Sequence, residues 1–286
     1  MSNTQPVISV VVCTRNRAAF LQPFFEALDK IDSSTPWELI VVNNASTDET
    51  AELLAQYASR AKVAVQVVYE SLPGLGRARN AGWKQARGAV VAFTDDDCYP
   101  EPDFIDKVQA QFEDSNIGFV GGRVELFDPQ DLPITIKVDK TPQFYPAYSF
   151  IGPGSLHGAN FSFRKEVLIA MDGFDACMGS GTPFPSEDCD AVYRALQVGK
   201  DGKYSPDIVV YHHHRRRTEA DRIKIESSYL AGRGAFYTKI LVGYPRKAKT
   251  FIQWMKSAKC FGWHFLPKEI WIGIQYLLFA SRNKNV

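Results

Sequence analysis

Short apolar runs and helically spaced apolar positions alternate along the first hundred residues. Residues 7–13 (VISVVVC) are β-branched with one polar position, the pattern of a strand buried on both faces. Phe20, Leu21, Phe24, Phe25, Leu28 and Ile31 then recur at helical spacing, with Pro23 tolerated in the first turn. Residues 39–42 (LIVV) predict a second strand. Residues 43–48 (NNASTD) follow it, rich in capping side chains, and Leu53, Leu54 and Tyr57 mark the next helix. Residues 63–69 predict a third strand, 72–76 (LPGLG) a loop, and 77–87 a helix. A fourth apolar run, 90–94 (VVAFT), ends in Asp95, Asp96 and Asp97. A strand buried on both faces cannot carry three adjacent charges, so the triplet belongs in a loop at its carboxyl end. This alternation predicts a mostly parallel α/β sheet.

After Asp97 the pattern loosens. A helix carries Phe104, Ile105, Val108 and Phe112. Residues 117–121 and 123–127 predict two strands split by a Gly-Gly break. Residues 128–158 hold five prolines and read as a binding surface or a mobile segment. Residues 160–163 (NFSF) predict a strand with one open face, and 171–175 a turn. Glu187, Asp188 and Asp190 open a helix continued by Val192, Tyr193 and Leu196. Residues 208–211 predict the last strand, ending in His212, His213, His214 and three arginines. From about Thr218 the chain reads as helices only. Ile270, Trp271, Ile274, Leu277 and Leu278 form an apolar stripe there, preceded by several lysines. The stripe predicts either a face packed on the rest of the chain or on a twin subunit, or one laid on an anionic membrane surface.

A net charge of +1 gives no global attraction to nucleic acid. Five scattered cysteines without a CxxC pair predict reduced thiols and a cytoplasmic setting. The first residues show no basic and apolar signal-peptide pattern. No run reaches the roughly 18 to 20 apolar residues of a spanning helix.

Carboxylates on a short turn after a parallel strand suit a hard divalent cation, and such a cation commonly carries a substrate diphosphate. Four blocks then stand in order: ISVVVCTRNR, VVNNASTDET, GLGRARNAGWKQARGAVVAFTDDD and GANFSFRKEVLIAMDGFD with SEDCD. Together they resemble glycosyltransferase family 2, over about residues 5–215. The resemblance implies the GT-A fold: a Rossmann-like, mostly parallel sheet flanked by helices. Residues 1–217 would be the catalytic domain, with a nucleotide-sugar half (1–97) and an acceptor half (98–217). Residues 218–286 would be a helical extension.

The same resemblance implies an inverting transfer from a nucleotide-diphospho-sugar (UDP-, dTDP- or GDP-linked) to a saccharide or lipid-linked acceptor, with Mn²⁺ or Mg²⁺ as cofactor. Such reactions serve polysaccharide, lipopolysaccharide or glycolipid assembly, at times peripherally on the inner face of the cell membrane. Asp97 matches the last Asp of the family's DXD motif, a metal ligand. Asp95 and Asp96 match its donor-side positions. Thr14 and Arg15 match the nucleobase loop, and Arg79 a helix-start arginine facing the nucleotide. Asn44 stands where the family often has an Asp that accepts from uracil N3, which leaves the base open. Asp188 matches the general base of the ED motif, with Glu187 beside it on the acceptor. His212 matches a further metal ligand, with His214 able to share its side of an extended strand. Arg215, Arg216 and Arg217 suit donor phosphates or an anionic acceptor. Trp83, Phe144, Tyr145, Tyr148 and the 179–182 turn are further candidate acceptor contacts. Two other functions fit a nucleotide-binding sheet: a sugar-phosphate nucleotidyltransferase and a non-catalytic binding module. The first would want glycine directly after the first strand, where none stands.

Overall fold

The apolar runs of the first hundred residues become four adjacent parallel strands in the computed structural model, which describes residues 5–283. They are β1 (Ile8–Thr14), β2 (Trp37–Asn44), β3 (Ala64–Glu70) and β4 (Val90–Asp95), in the order β3–β2–β1–β4. Strand alternation sends neighbouring residues to opposite faces. Val10, Val12, Leu39 and Ala92 pack on one side with α1 (Leu21–Leu28) and α2 (Thr50–Arg60). Val11, Ile40, Val91 and Phe93 pack on the other with α3 (Leu75–Gln85). α3 lies close on the sheet: a Cβ at Gly82 would stand 2.4 Å from a Val11 methyl.

Beyond β4 the sheet becomes mixed. β5 (Cys98–Pro100) follows the acidic turn, and α4 (Phe104–Gln111) packs on the α1 side. β6 (Ile117–Leu126) is one strand, where the sequence suggested two. The Gly-Gly pair is absorbed as a register shift between Gly122 and Arg123. β7 (Gln143–Tyr145) and a bridge between Val124 and Lys137 tie down the proline-rich segment. β8 (Asn160–Arg164) runs antiparallel between β4 and β6 and leads into α5 (Lys165–Ala170). α6 (Glu187–Gln197) precedes β9 (Asp201–His212), which parallels β6. β9 begins seven residues before the predicted start. Its pairing jumps from Ser205 to Val209, so Pro206 sits in a bulge where its missing N–H breaks no ladder bond. Gly202, Ser205 and Pro206 interrupt the apolar pattern and hid this half of the strand.

The remaining helices are α7 (Glu219–Gly243), α8 (Lys247–Phe261) and α9 (Leu266–Arg282). A Thr218–Asp221 capping box starts α7. Phe236, Tyr237 and Ile240 of α7 and Trp254 of α8 join the same core as Phe93 and Phe161. α9 packs on α7 through Gly273 and Tyr276, and its buried Glu269 bonds Arg233 of α7 and Trp254 of α8. The expectation that the apolar stripe packs on the rest of the chain holds for Leu277, which lies against the Ala235–Tyr276 cluster, and is corrected for the others. Ile270, Trp271, Ile274 and Leu278 face outward, because the small and polar side of α9 makes the closer helix contact.

Candidate active site

The carboxyl ends of β1, β4 and β9 meet at the acidic triplet. Asp95 closes β4, and Asp96 and Asp97 make the turn into β5. Thr14, the last residue of β1, donates its hydroxyl to Asp96 Oδ2 at 2.6 Å. Arg17, three residues on, spans the pair: Nε lies 3.2 Å from Asp96 Oδ1 and Nη2 2.8 Å from Asp97 Oδ2. His212, the last residue of β9, points Nε2 at Asp97 Oδ1, 3.4 Å away. Its Nδ1 lies 2.9 Å from the Thr135 carbonyl oxygen, so Nδ1–H donates there and Nε2 is turned to Asp97, to which it donates when the ring is protonated.

These surroundings split the two aspartates. Burial pushes Asp96 up to about 7, reinforced by Asp97 and Asp95 against the pull of Arg17. Burial acts on Asp97 in the same sense, yet the His212 hydrogen bond and the charges of His212, Arg17 and Arg216 hold it below the usual carboxylate range. Burial depresses His212, but the Asp97 bond and charge outweigh it and raise its pKa. Asp97 and His212 supply one carboxylate oxygen and one imidazole nitrogen, a donor set suited to Mn²⁺. Cys98 has its sulfur in the same group. Burial and the neighbouring aspartates push that thiol well up, so it stays protonated and is a weak ligand.

His214 is differently committed. Its Nε2 donates to the Leu132 carbonyl at 3.1 Å, and its Nδ1 accepts the Arg216 N–H at 3.0 Å. Both nitrogens are used by backbone. The three arginines also separate. Arg217 is bound to Asp128 and Asp131, and Arg215 lies over the Phe20 ring. Arg216 borders the cavity described next.

A cavity of about 740 Å³ opens over this end of the sheet. Thr14, Arg15, Asn44, Arg79, Asp95, Asp96, Asp97, Glu187, Asp188 and His212 all border it. The start of α6 also borders it. Ser186 takes a left-handed conformation (φ 85°), unusual for a residue with a side chain, and aims the following two acids inward. Asp188 Oδ2 accepts from the Gly158 N–H at 3.0 Å and Oδ1 from the Cys189 N–H at 2.8 Å. Glu187 is paired with Arg79 at 2.7 Å, and Arg79 also reaches Asp95 (3.5 Å) and the Gly158 carbonyl (2.9 Å). Arg79 is 2% exposed, with Phe161 and Phe174 against its guanidinium. It is thus an internal strut between the triplet and the α6 acids. Burial, with Asp188 and Asp95 adding to it, raises Glu187 to about 7 despite Arg79.

Other expected contacts are placed differently. Asn44 spends its amide on the next loop: Nδ2 donates to Leu72 O at 2.7 Å, and Oδ1 accepts from Gly74 N at 2.9 Å. Arg15 is exposed at the rim. Of the 179–182 turn, Ser180 and Gly181 border the cavity, whereas Trp83, Phe144, Tyr145 and Tyr148 do not. Trp83 is core, bonded to Asn80.

Among the lining residues that sequence reasoning missed are Arg17, His157, Tyr229, Arg233 and Phe261. His157 Nδ1 accepts from the Ala159 N–H at 3.1 Å, and burial next to the His212 charge lowers its pKa to about 4. It is therefore neutral near pH 7, with the proton on Nε2. Arg17 stood in the quoted TRNR block with nothing to distinguish it from Arg15. The other three come from parts of the chain outside or between the matching blocks.

The sequence model of glycosyl transferase family 2 matches residues 9–170. The chain belongs to this family. As a family 2 glycosyltransferase it has curated relatives in Haloferax volcanii. It is 25% identical over 216 residues to glycosyltransferase AglE, covering 74% of this chain and 68% of AglE. It is 26% identical over 189 residues to glucosyl-dolichyl phosphate glucuronosyltransferase, covering 60% of this chain and 57% of that one. Among solved structures, Staphylococcus aureus TarS 1-349 in complex with UDP-GlcNAc superposes with a TM-score of 0.63 at 19% identity, covering 96% of this chain and 73% of that one. The mannosyltransferase PcManGT from Pyrobaculum calidifontis, in complex with GDP-Man and Mn²⁺, gives 0.58 at 18%, covering 98% and 87%. The fold is GT-A, with helices appended after β9.

Proposed function

We propose that this family 2 glycosyltransferase moves a sugar, with inversion, from a nucleoside-diphosphate donor to a hydroxyl of a saccharide or lipid-linked acceptor. The observation that carries this reading is that two acidic groups border one cavity: Asp97 with His212 at the sheet end, and Asp188 at the start of α6. Solved structures of this fold are complexes with UDP-GlcNAc and with GDP-Man and Mn²⁺, which supports a nucleotide-sugar donor here. The donor nucleoside lies over β1 and the loop that Asn44 holds, with Thr14, Arg15 and Asp96 on its side. Asp97 and His212 would hold Mn²⁺ or Mg²⁺, and that ion would supply charge neutralisation for the departing diphosphate. Arg216 faces the same anion.

In the transfer, the acceptor oxygen attacks the anomeric carbon and gives its proton to Asp188. The anomeric C–O bond breaks, and its electron pair leaves with the diphosphate. The Gly158 and Cys189 N–H groups fix the Asp188 carboxyl, leaving its remaining lone pairs for that proton. Arg79 and Glu187 act through position, holding α6 against β4. Residues 1–217 form the catalytic unit on this reading. The five free thiols support a reducing, cytoplasmic setting.

The test has two parts. Melting temperature is measured with UDP, dTDP and GDP, each with and without Mn²⁺. A metal-dependent rise for one of them is expected, since a ligand bound only by the folded state stabilises it. Asp188→Asn should then keep that shift while transfer falls by roughly 10²- to 10⁴-fold, the usual share of a general base. Full turnover by the variant removes Asp188 from the role. The absence of any nucleotide shift removes the donor assignment.

A further inference from the structure

Charge is divided unevenly along this chain. Residues 244–286 hold eight of its 33 Lys and Arg and one of its 32 Asp and Glu. That segment is therefore +7, and residues 1–243 are −6, within a net charge of +1. The single acid is Glu269, which is 1% exposed and bound to Arg233 and Trp254. The described surface of the segment thus carries cations and no carboxylate side chain.

The same segment exposes its apolar residues. Ile270, Trp271, Ile274 and Leu278 follow one another at helical spacing on the outer face of α9, each 43–59% exposed. Lys268 and Arg282 stand at the two ends of this stripe. On α8, Lys249, Ile252, Lys256 and Lys259 share an exposed face at intervals of three and four residues. Trp263, in the turn between the two helices, is 54% exposed. A contiguous exposed stripe of this kind marks an interaction surface.

We infer that the outer face of α8 and α9 docks on an anionic lipid surface. Apolar side chains on one helix face enter the boundary of the acyl region, and flanking lysines meet the lipid phosphates. Tryptophan suits the water–lipid interface because its ring is apolar and its N–H is polar. A second copy of this chain is the poorer occupant. A two-fold interface sets a patch against itself, so cations would oppose cations with no acid between them. Among the described residues no helix is long and apolar enough to cross a membrane, so the contact is peripheral. Phe261, the last residue of α8, borders the active-site cavity. The docked face therefore begins at the cavity rim, where an acceptor carried by the same membrane would arrive. This inference goes beyond the transfer reaction, and lipid binding is measured without donor or turnover.

The experiment is flotation of the full chain with neutral phosphatidylcholine vesicles and with vesicles containing roughly a third phosphatidylglycerol, at about 0.1 M and about 0.5 M salt. Binding is expected to the anionic vesicles only, and weaker at the higher salt. Trp271→Glu with Ile274→Glu should lower the bound-to-free ratio at least roughly tenfold. Lys256→Glu with Lys259→Glu should do the same through charge alone. Both double variants should keep the wild-type melting temperature and nucleotide response. A folded chain that ignores anionic vesicles overturns the inference, as does equal binding by wild type and the lysine variant. A dimer that Trp271→Glu with Ile274→Glu makes monomeric, without vesicle binding, assigns the face to a second copy.

Discussion

Two histidines two residues apart on one strand end have opposite uses. His212 keeps Nε2 toward Asp97 because Thr135 takes its Nδ1 proton, whereas His214 gives both nitrogens to backbone. His212→Ala should weaken Mn²⁺ binding, measured by calorimetry in the presence of nucleotide, by at least roughly tenfold. His214→Ala should leave Mn²⁺ binding unchanged and lower stability, because buried backbone groups lose their partners. The reverse pattern would exchange the roles. Strand alternation left both histidines on one face of an extended strand, and only the family resemblance favoured His212. The partner that decides, Thr135, lies 77 positions away in the proline-rich segment. Arg79 teaches the same point. Its place at the start of α3 suggested solvent or nucleotide, yet it spans β4 and α6 inside the protein.

At the scale of elements, α6 is the junction of the molecule. Its first residues supply the two acids of the cavity, and its buried face carries Asp190. Lys239 of α7 lies 2.7 Å from Asp190 and 2.6 Å from Asp175, which also accepts from Tyr276 of α9. The helices after β9 are thus wired to the helix that carries Asp188. Lys239→Ala should cost about 2–3 kcal/mol, at or below the lower end for breaking a buried ion pair, because Arg194 remains on Asp190. Urea unfolding should show the loss as a lower midpoint with unchanged slope. An unaltered midpoint would mean α7 is held by its apolar contacts alone. Apolar spacing announced the strands β1 to β4 and the helices between them, because each buries a full face. The first half of β9 and the single strand β6 escaped it, because glycine, serine and proline at a bulge carry no periodic signal.

For the molecule as a whole, the burial of Glu187 makes stability depend on pH. Glu187 titrates near 7 in the fold and near 4.5 when exposed. Between those values the folded protein holds a proton that the unfolded chain has released. This contribution is complete at low pH and is lost as pH rises through about 7. Neutral His157, depressed to about 4, acts in the opposite sense over an overlapping window, so the wild-type curve alone does not isolate Glu187. Glu187→Gln does. Its melting temperature relative to wild type should climb between pH 5 and pH 8, since glutamine keeps the contact with Arg79 and does not ionise. A difference that stays flat with pH would remove Glu187 as the source.

Local order was enough to determine the strand–helix alternation, the acidic turn and the family. Each depends on residues close in the chain: a β-branched run, a helical spacing, three aspartates after a strand. Tertiary structure alone decided which histidine faces the acidic turn, that Arg79 is an internal strut, that Arg17 spans Asp96 and Asp97, and which side of α9 faces out. Each of these depends on partners tens of residues away, brought together where strands end and helices cross.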